Sequence, residues 1–231
     1  MKSIGILVAM EKEYDQIRSL LSSVENVEVS GRRYVVGEIN GCSIILHICG
    51  IGKVNAAIGT TLLISHFHPD AVISSGCAGG VGDGMNIEDI VVSKYICYHD
   101  VWCGPETQLG QIQGCPNRWE GSKQIVEVAS KLSYKHKIHC GLIASGDWFV
   151  DTREKAQSIK DANPDAMAID MESGSIAQVC FEFGVPFLSF RVISDLPLSD
   201  NNTVQYNDFW STIAEDSFSL TKNLIDSLVN L

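Results

Sequence analysis

Two short stretches combine acids with otherwise apolar sequence. "AIDMES" (168–173) carries Asp170 and Glu172 around Met171, and "FRVISD" (190–195) brackets an apolar run with Arg191 and Asp195. Charged side chains are rarely buried unless something pairs with them, so acids in such settings point to chemistry or to a buried ion pair. A third acid, Glu13, follows the apolar run "IGILVA" (4–9) in "AMEKE". Two carboxyl groups in unlike surroundings form the standard device for protonating a leaving group while activating a water molecule. Each acid alone also has an ordinary explanation. Glu13 complements a helix dipole, Asp170 does the same before the helix near Glu172, and Asp195 caps a loop.

Other familiar chemistries are absent from the pattern. "CGIGKV" (49–54) lacks the first P-loop glycine and has Val54 after its lysine, and "GVGDGM" (80–85) breaks the dinucleotide fingerprint at Met85. "HKIHC" (136–140) comes nearest to metal-ligand spacing, but in a strand His139 points away from His136 and Cys140. No G-x-S-x-G elbow marks a serine hydrolase. Neither a metal nor an organic cofactor is therefore expected. "SGCAGG" (75–80), after a strand, reads as a tight turn or as backbone able to approach a ligand closely.

The elements that must position these residues follow from periodicity. Strands are expected at 4–9, 32–39, 42–49, 71–75, near 89–98, at 138–144, 166–170 and 186–194. Helices are expected at 11–21, from the glycines at 50 and 52 to Phe67, and at 122–133, 152–162 and 172–183. A long amphipathic helix is expected from about 208. Asn40-Gly41 joins two of the strands as a hairpin. An irregular stretch (101–121) and a polar loop (196–205) complete the chain. Alternating strands and helices imply a single layered α/β domain over 1–231 with a mixed sheet. In such sheets ligands bind at the carboxyl ends of strands, where "AMEKE", "SSGCAGG", "AIDME" and "VISD" all fall.

Bulk composition narrows the partners. The 231 residues carry a formal charge of −11, which argues against nucleic acid, since polyanion binding needs clustered Lys and Arg. No apolar run approaches the ~20 residues that cross a bilayer. The N-terminal apolar run is cut off by charges without a cleavage site, so it reads as a strand. Eight scattered cysteines fit free thiols in a reducing cytoplasm.

The full chain resembles the 5′-methylthioadenosine/S-adenosylhomocysteine nucleosidases of the type I nucleoside phosphorylase superfamily. The resemblance rests on "GILVAMEKE", "CGIGKVNAAIGTTLL", "SSGCAGGV", "DIVVS", "YHD", "GCP", "GLIASGDWFV", "DMESGSIAQVC", "VPFLSFRVISD" and "YNDF", in order and at nearly the family spacing. It implies a three-layer α-β-α sandwich around a mixed sheet, a cytoplasmic homodimer, and hydrolysis of an adenine nucleoside without a cofactor. It implies that Glu13 activates water, that Glu172 holds the ribose hydroxyls beside Met171, and that Asp195, next to Ser194, protonates adenine N7. Phe149 would stack on the base and the Val150 backbone would read its edge. Arg191, Gly76, Cys77 and Ala78 would frame the water, and Ile51, Met10 and Tyr206 would line the substrate pocket. Glu13, near a helix start and Arg191, is expected to stay ionised, while Asp195 is expected to be desolvated. Asp170 and Cys77 depart from the usual Glu and Ser of the family. Competing readings are a phosphorylase of the superfamily, an aminodeoxyfutalosine nucleosidase, and a non-catalytic nucleoside-binding protein.

Overall fold

The computed structural model describes the backbone of residues 1–212 and 214–229, and the side chains of those outside 212–219. Strand β1 (Ser3–Val8) and helix α1 (Glu11–Arg18) lead into the meander β2 (Ser22–Val29), β3 (Arg32–Ile39) and β4 (Cys42–Ile48). Helix α2 (Lys53–Phe67) precedes β5 (Ala71–Gly80), β6 (Ile90–Tyr98) and the short β7 (Trp119–Glu120). Then follow α3 (Lys123–Ser130), β8 (Ile138–Ser145), α4 (Arg153–Ala162), β9 (Ala166–Asp170), α5 (Ser173–Phe183) and β10 (Phe187–Asp195). Helices α6 (Asn202–Thr212) and α7 (Ala214–Leu228) come last.

The sheet runs β10-β6-β8-β9-β5-β1-β4-β3-β2, with β7 on β6, and β10 pairs β5 as well. Strands β5, β10, β6, β8 and β9 therefore close into a ring, and the other strands extend from it through β1. The sheet is mixed: β1 pairs β4 and β5 in parallel, while β3 pairs β4 antiparallel. Strand β5 makes the closure possible. Its first half pairs β1, and its end leaves β1 to pair β9 through Gly79 and Gly80.

Helices cover both faces. Ile17, Ile125, Phe209, Leu224 and Leu228 from α1, α3, α6 and α7 pack against one face. Ala56, Leu63, Ile176 and Cys180 from α2 and α5 pack against the other. All nine residues of β10 are buried, as expected of an apolar strand covered from both sides. The β3–β4 hairpin turns at Asn40 and Gly41, whose φ values of 48° and 80° match the left-handed positions that Asn-Gly favours.

Four local expectations change. "SGCAGG" is no turn: β5 continues through it to Gly80. Its glycines serve close approach, since a Cβ at Gly76 would lie 2.7 Å from Glu13 Oε1 and would strike Arg191. Strand β2 was not expected because it is mostly exposed and lacks an apolar alternation; it adds to β3 as an edge. Helix α1 ends at Arg18 rather than 21. Helix α6 begins at Asn202, inside the expected polar loop, and a second helix, α7, starts at Ala214. Among the described residues, no helix is long and apolar enough to cross a membrane.

Candidate active site

The sequence-flagged residues converge because their strands end on one side of the ring. Met10, Glu13, Ile51, Cys77, Ala78, Phe149, Val150, Met171, Glu172, Ser194, Asp195 and Tyr206 all line one cavity. Arg191 and Gly76 stand just behind this wall, Arg191 only 1% exposed. Among the described residues, the cavity is walled by four carboxylic residues, Glu13, Asp170, Glu172 and Asp195, and by no Lys or Arg.

Glu13 sits in the first turn of α1 but points back into the sheet. Its Oε2 accepts hydrogen bonds from the Ala9 and Met10 amides at 2.9 and 3.1 Å, and Oε1 accepts from Cys77 N at 3.0 Å. Burial pushes the carboxyl above its ordinary range, opposed by the Arg191 charge and these three N–H donors. Burial thus outweighs the helix start and the nearby Arg191, so Glu13 is a stronger base than an exposed glutamate. All three hydrogen-bond partners are donors, an arrangement suited to the ionised form. The Cys77 thiol beside it is also held far above its usual range by burial, which keeps it a neutral, weak donor.

The position of Arg191 explains the acid that the sequence left without a role. Its Nη2 lies 2.8 Å from Asp170 Oδ2 and 3.9 Å from Glu172 Oε2, and it donates to Ser74 Oγ at 2.7 Å. Nε donates to Ser189 Oγ at 3.1 Å, and Ser173 bridges to Asp170. Asp170 is therefore the counterion of a buried guanidinium. It also accepts from the Ser173 amide at the start of α5, at 3.3 Å. Asp170→Ala strands that charge, and losing one partner of a buried pair costs about 3–5 kcal/mol. Urea denaturation is expected to show a loss of that size. A loss under about 1 kcal/mol would mean that Glu13 and Glu172 hold Arg191 without it.

Glu172 and Asp195 occupy different surroundings. Glu172 Oε1 accepts from Gly52 N at 3.0 Å, at the start of α2. Burial pushes Glu172 up to about 7, with Arg191 opposing and Asp170 adding to the rise. Asp195 Oδ1 accepts from Ser194 Oγ at 2.7 Å. Burial raises Asp195 to about 6, and hydrogen bonds from Ser194 and Asn202 pull the other way. No cation offsets that rise, so Asp195 holds a proton at far higher pH than an ordinary aspartate.

Aromatic and apolar groups form the rest of the wall. Phe149 stands edge-on to Tyr206, with centroids 5.7 Å apart, and the Tyr206 hydroxyl donates to Met10 Sδ at 3.6 Å. Half-exposed Phe149, Ile51 and Trp148 mark the mouth. Asn202 Nδ2 donates to Val150 O at 3.1 Å and so ties the start of α6 to the Val150 backbone. Trp148, Asn202 and the serines around Arg191 escaped the sequence reading. Their types are common, and only "GDWFV" beside Phe149 hinted at the first. Among the described residues, no group of three or more His, Cys, Asp or Glu is arranged to hold a metal ion.

The arrangement, with acids in unlike surroundings beside an aromatic wall, supports acid–base cleavage of a bond to a flat leaving group. Comparison with known proteins agrees. The model of the Phosphorylase superfamily matches residues 3–226. The chain is 37% identical over 228 residues to a 5′-methylthioadenosine/S-adenosylhomocysteine nucleosidase of Desulfotalea psychrophila, covering 97% of each chain. A Neisseria meningitidis nucleosidase of the same name, solved with methylthio-immucillin-A, superposes with a TM-score of 0.93 at 30% identity; the match covers 98% of this chain and 100% of that one. A Colwellia psychrerythraea nucleosidase solved with adenine gives 0.92 at 31%, covering 98% and 96%.

Proposed function

The chain belongs to the phosphorylase superfamily, among its 5′-methylthioadenosine/S-adenosylhomocysteine nucleosidases, and from that premise we propose how its residues divide the reaction. The protein is an N-glycosyl hydrolase that cleaves the glycosidic bond of these nucleosides and releases adenine and the thio-ribose. Such cleavage passes through an oxocarbenium-like state and needs an acid for the leaving base and a base for water. Asp195 delivers the proton to adenine N7. Glu13, steadied by its three backbone donors, takes the proton from water. Arg191 and the Gly76–Ala78 stretch of β5 frame that water from behind, and Cys77 stands beside it.

The sugar and base are held by the rest of the wall. Glu172 grips the ribose hydroxyls next to Met171. Phe149 stacks on adenine while the Val150 backbone reads its edge. Ile51, Met10 and Tyr206 line the 5′-thio end. The chain works as one nucleosidase unit with no cofactor, in the cytoplasm, where its eight free thiols are at home. It works as a homodimer. Exposed Val54 and Ile58 on α2 and Phe181 and Phe183 on α5 supply an apolar face that a second copy would cover.

The observation that carries hydrolysis over phosphorolysis is the charge of the cavity: among the described residues, four carboxylic residues and no cation on the wall. A phosphate dianion entering there meets repulsion that water does not. Incubation with methylthioadenosine in phosphate-free buffer is expected to release adenine at the same rate as with phosphate added. Release only with phosphate would make the protein a phosphorylase, and no release would leave a binding protein.

Glu172→Ala is expected to weaken both binding and turnover, because ribose contacts tighten as charge develops. Losing hydrogen bonds to a charged group costs about 2–3 kcal/mol, or roughly 30–150-fold in kcat/KM. A 2′,3′-dideoxynucleoside, lacking those hydroxyls, should be turned over similarly by parent and variant. Equal losses on both substrates would remove Glu172 from the ribose site.

A further inference from the structure

Lys53, Asp100 and Asp147 lie outside the cavity wall, and no step of the hydrolysis uses them. They nevertheless form a closed circuit. Lys53 Nζ donates to both Asp100 oxygens at 2.9 Å, and Asp147 N donates to Asp100 Oδ2 at 2.8 Å. Asp147 Oδ1 in turn accepts from Lys53 N at 2.7 Å. The Asp100 side chain is only 8% exposed, and Lys53 Nζ also lies 5.1 Å from the centre of the Tyr98 ring. A pair so placed is screened far less than one on the surface.

The circuit joins three segments that meet nowhere in sequence: the end of β6, the β8–α4 connection and the start of α2. Space at the junction is tight. A Cβ at Gly146 would lie 2.7 Å from Asp100 Cγ, and one at Gly52 would lie 2.9 Å from Asp147 Oδ1. Gly52 also has a φ of 92°, which other residues rarely adopt. Two functional groups hang from this junction. Phe149 and Val150 follow Asp147 after Trp148, and Gly52 N is the donor to Glu172 Oε1.

Building on the nucleoside reading of the cavity, we propose that Lys53 and Asp100 are positioning residues that latch the base-stacking loop 146–150 to the helix end steadying Glu172. The latch holds the base site and the ribose site at one fixed spacing. Preformed spacing matters because binding is weakened whenever ordering has to be done by the ligand.

Three variants test the latch: Lys53→Met removes its Nζ–Asp100 arm and leaves the backbone contacts of residue 53 and Asp147, Asp100→Asn keeps the acceptor for Asp147 N but removes the charge, and Lys53→Arg keeps the charge. Adenine is the probe, since it reaches the loop but not Glu172. For Lys53→Met, the adenine Kd and the nucleoside KM are expected to rise on the order of tenfold, as for a lost charge-assisted hydrogen bond, with kcat changed far less. Asp100→Asn should fall between, and Lys53→Arg should recover most of the affinity. Amide hydrogen exchange at 147–150 should quicken in Lys53→Met. Unchanged adenine affinity in a folded Lys53→Met protein, even with a lower melting temperature, would make the circuit purely structural and overturn the proposal. So would unchanged exchange at 147–150, a readout that needs no nucleoside. Failure of the wild-type protein to release adenine would instead overturn the functional reading.

Discussion

Replacing Asp195 by Asn is expected to lower turnover by roughly 10²–10⁴-fold, about 3–5 kcal/mol of barrier, while leaving adenine affinity within several-fold of the parent. Adenine is a poor leaving group as an anion, so proton delivery to N7 carries much of the barrier. An Asn amide can donate a hydrogen bond to N7 but cannot transfer a proton. The pH dependence sharpens the test. Burial raises Asp195 to about 6, and on the proposed role the protonated form is the active one. In the parent, kcat/KM should therefore fall as pH rises through about 6. That alkaline limb should be missing from the residual activity of the variant. Adenine release followed across pH in both proteins decides the matter. Full activity in the variant, or an unchanged alkaline limb, would exclude Asp195 as the acid.

Glu13→Gln is expected to remove hydrolysis to a similar extent, roughly 10²–10⁴-fold, with nucleoside binding largely kept. In the proposed division of roles the carboxylate acts on water rather than on the nucleoside, and an amide cannot accept the proton. Gln also fits the site badly. Ala9 N, Met10 N and Cys77 N all donate to the carboxylate, so the amide NH₂ must face an N–H on one side or the other. On the proposed role the ionised form of Glu13 is the active one. Burial lifts Glu13 above 4.5, so the acid limb of the parent should lie at higher pH than an ordinary glutamate would place it. The variant should lack this limb. Near-normal turnover by Glu13→Gln would overturn its assignment as the base.

The two limbs oppose each other, and both carboxyls are displaced upward by burial. Arg191, together with the three backbone donors, opposes that rise at Glu13. The guanidinium opposes the rise at Glu13 and Glu172, while hydrogen bonds from Ser194 and Asn202 oppose it at Asp195. Asp170 in turn offsets much of the guanidinium charge, so its replacement should disturb the pH profile as well as the stability.

What could be read from the sequence was whatever depends on residue type and short-range period. The apolar runs at 4–9, 42–48 and 187–193 are strands, the Asn40-Gly41 hairpin turns where expected, and acids sit at strand ends. The end-to-end order of motifs pointed to the family, and with it to the residues that now line the cavity. Strand β2 stayed hidden because an exposed edge strand needs no apolar alternation; its partner β3 supplies the ladder.

Only the tertiary structure decided the rest, because each remaining property is a sum over segments remote in the chain. Asp170 and Arg191 lie on β9 and β10, which flank β5 on opposite sides, so no spacing in the sequence pairs them. "SGCAGG" reads as a turn or as a backbone of close approach, because glycine permits both. It is a strand because β10 pairs it from Gly76 to Gly79, and glycine stands at 76 because Glu13 and Arg191 leave no room for a side chain. The raised carboxyls follow the same rule. A glutamate or aspartate carries its ordinary acidity in its formula, but the loss of water around it depends on which strands and helices close over it.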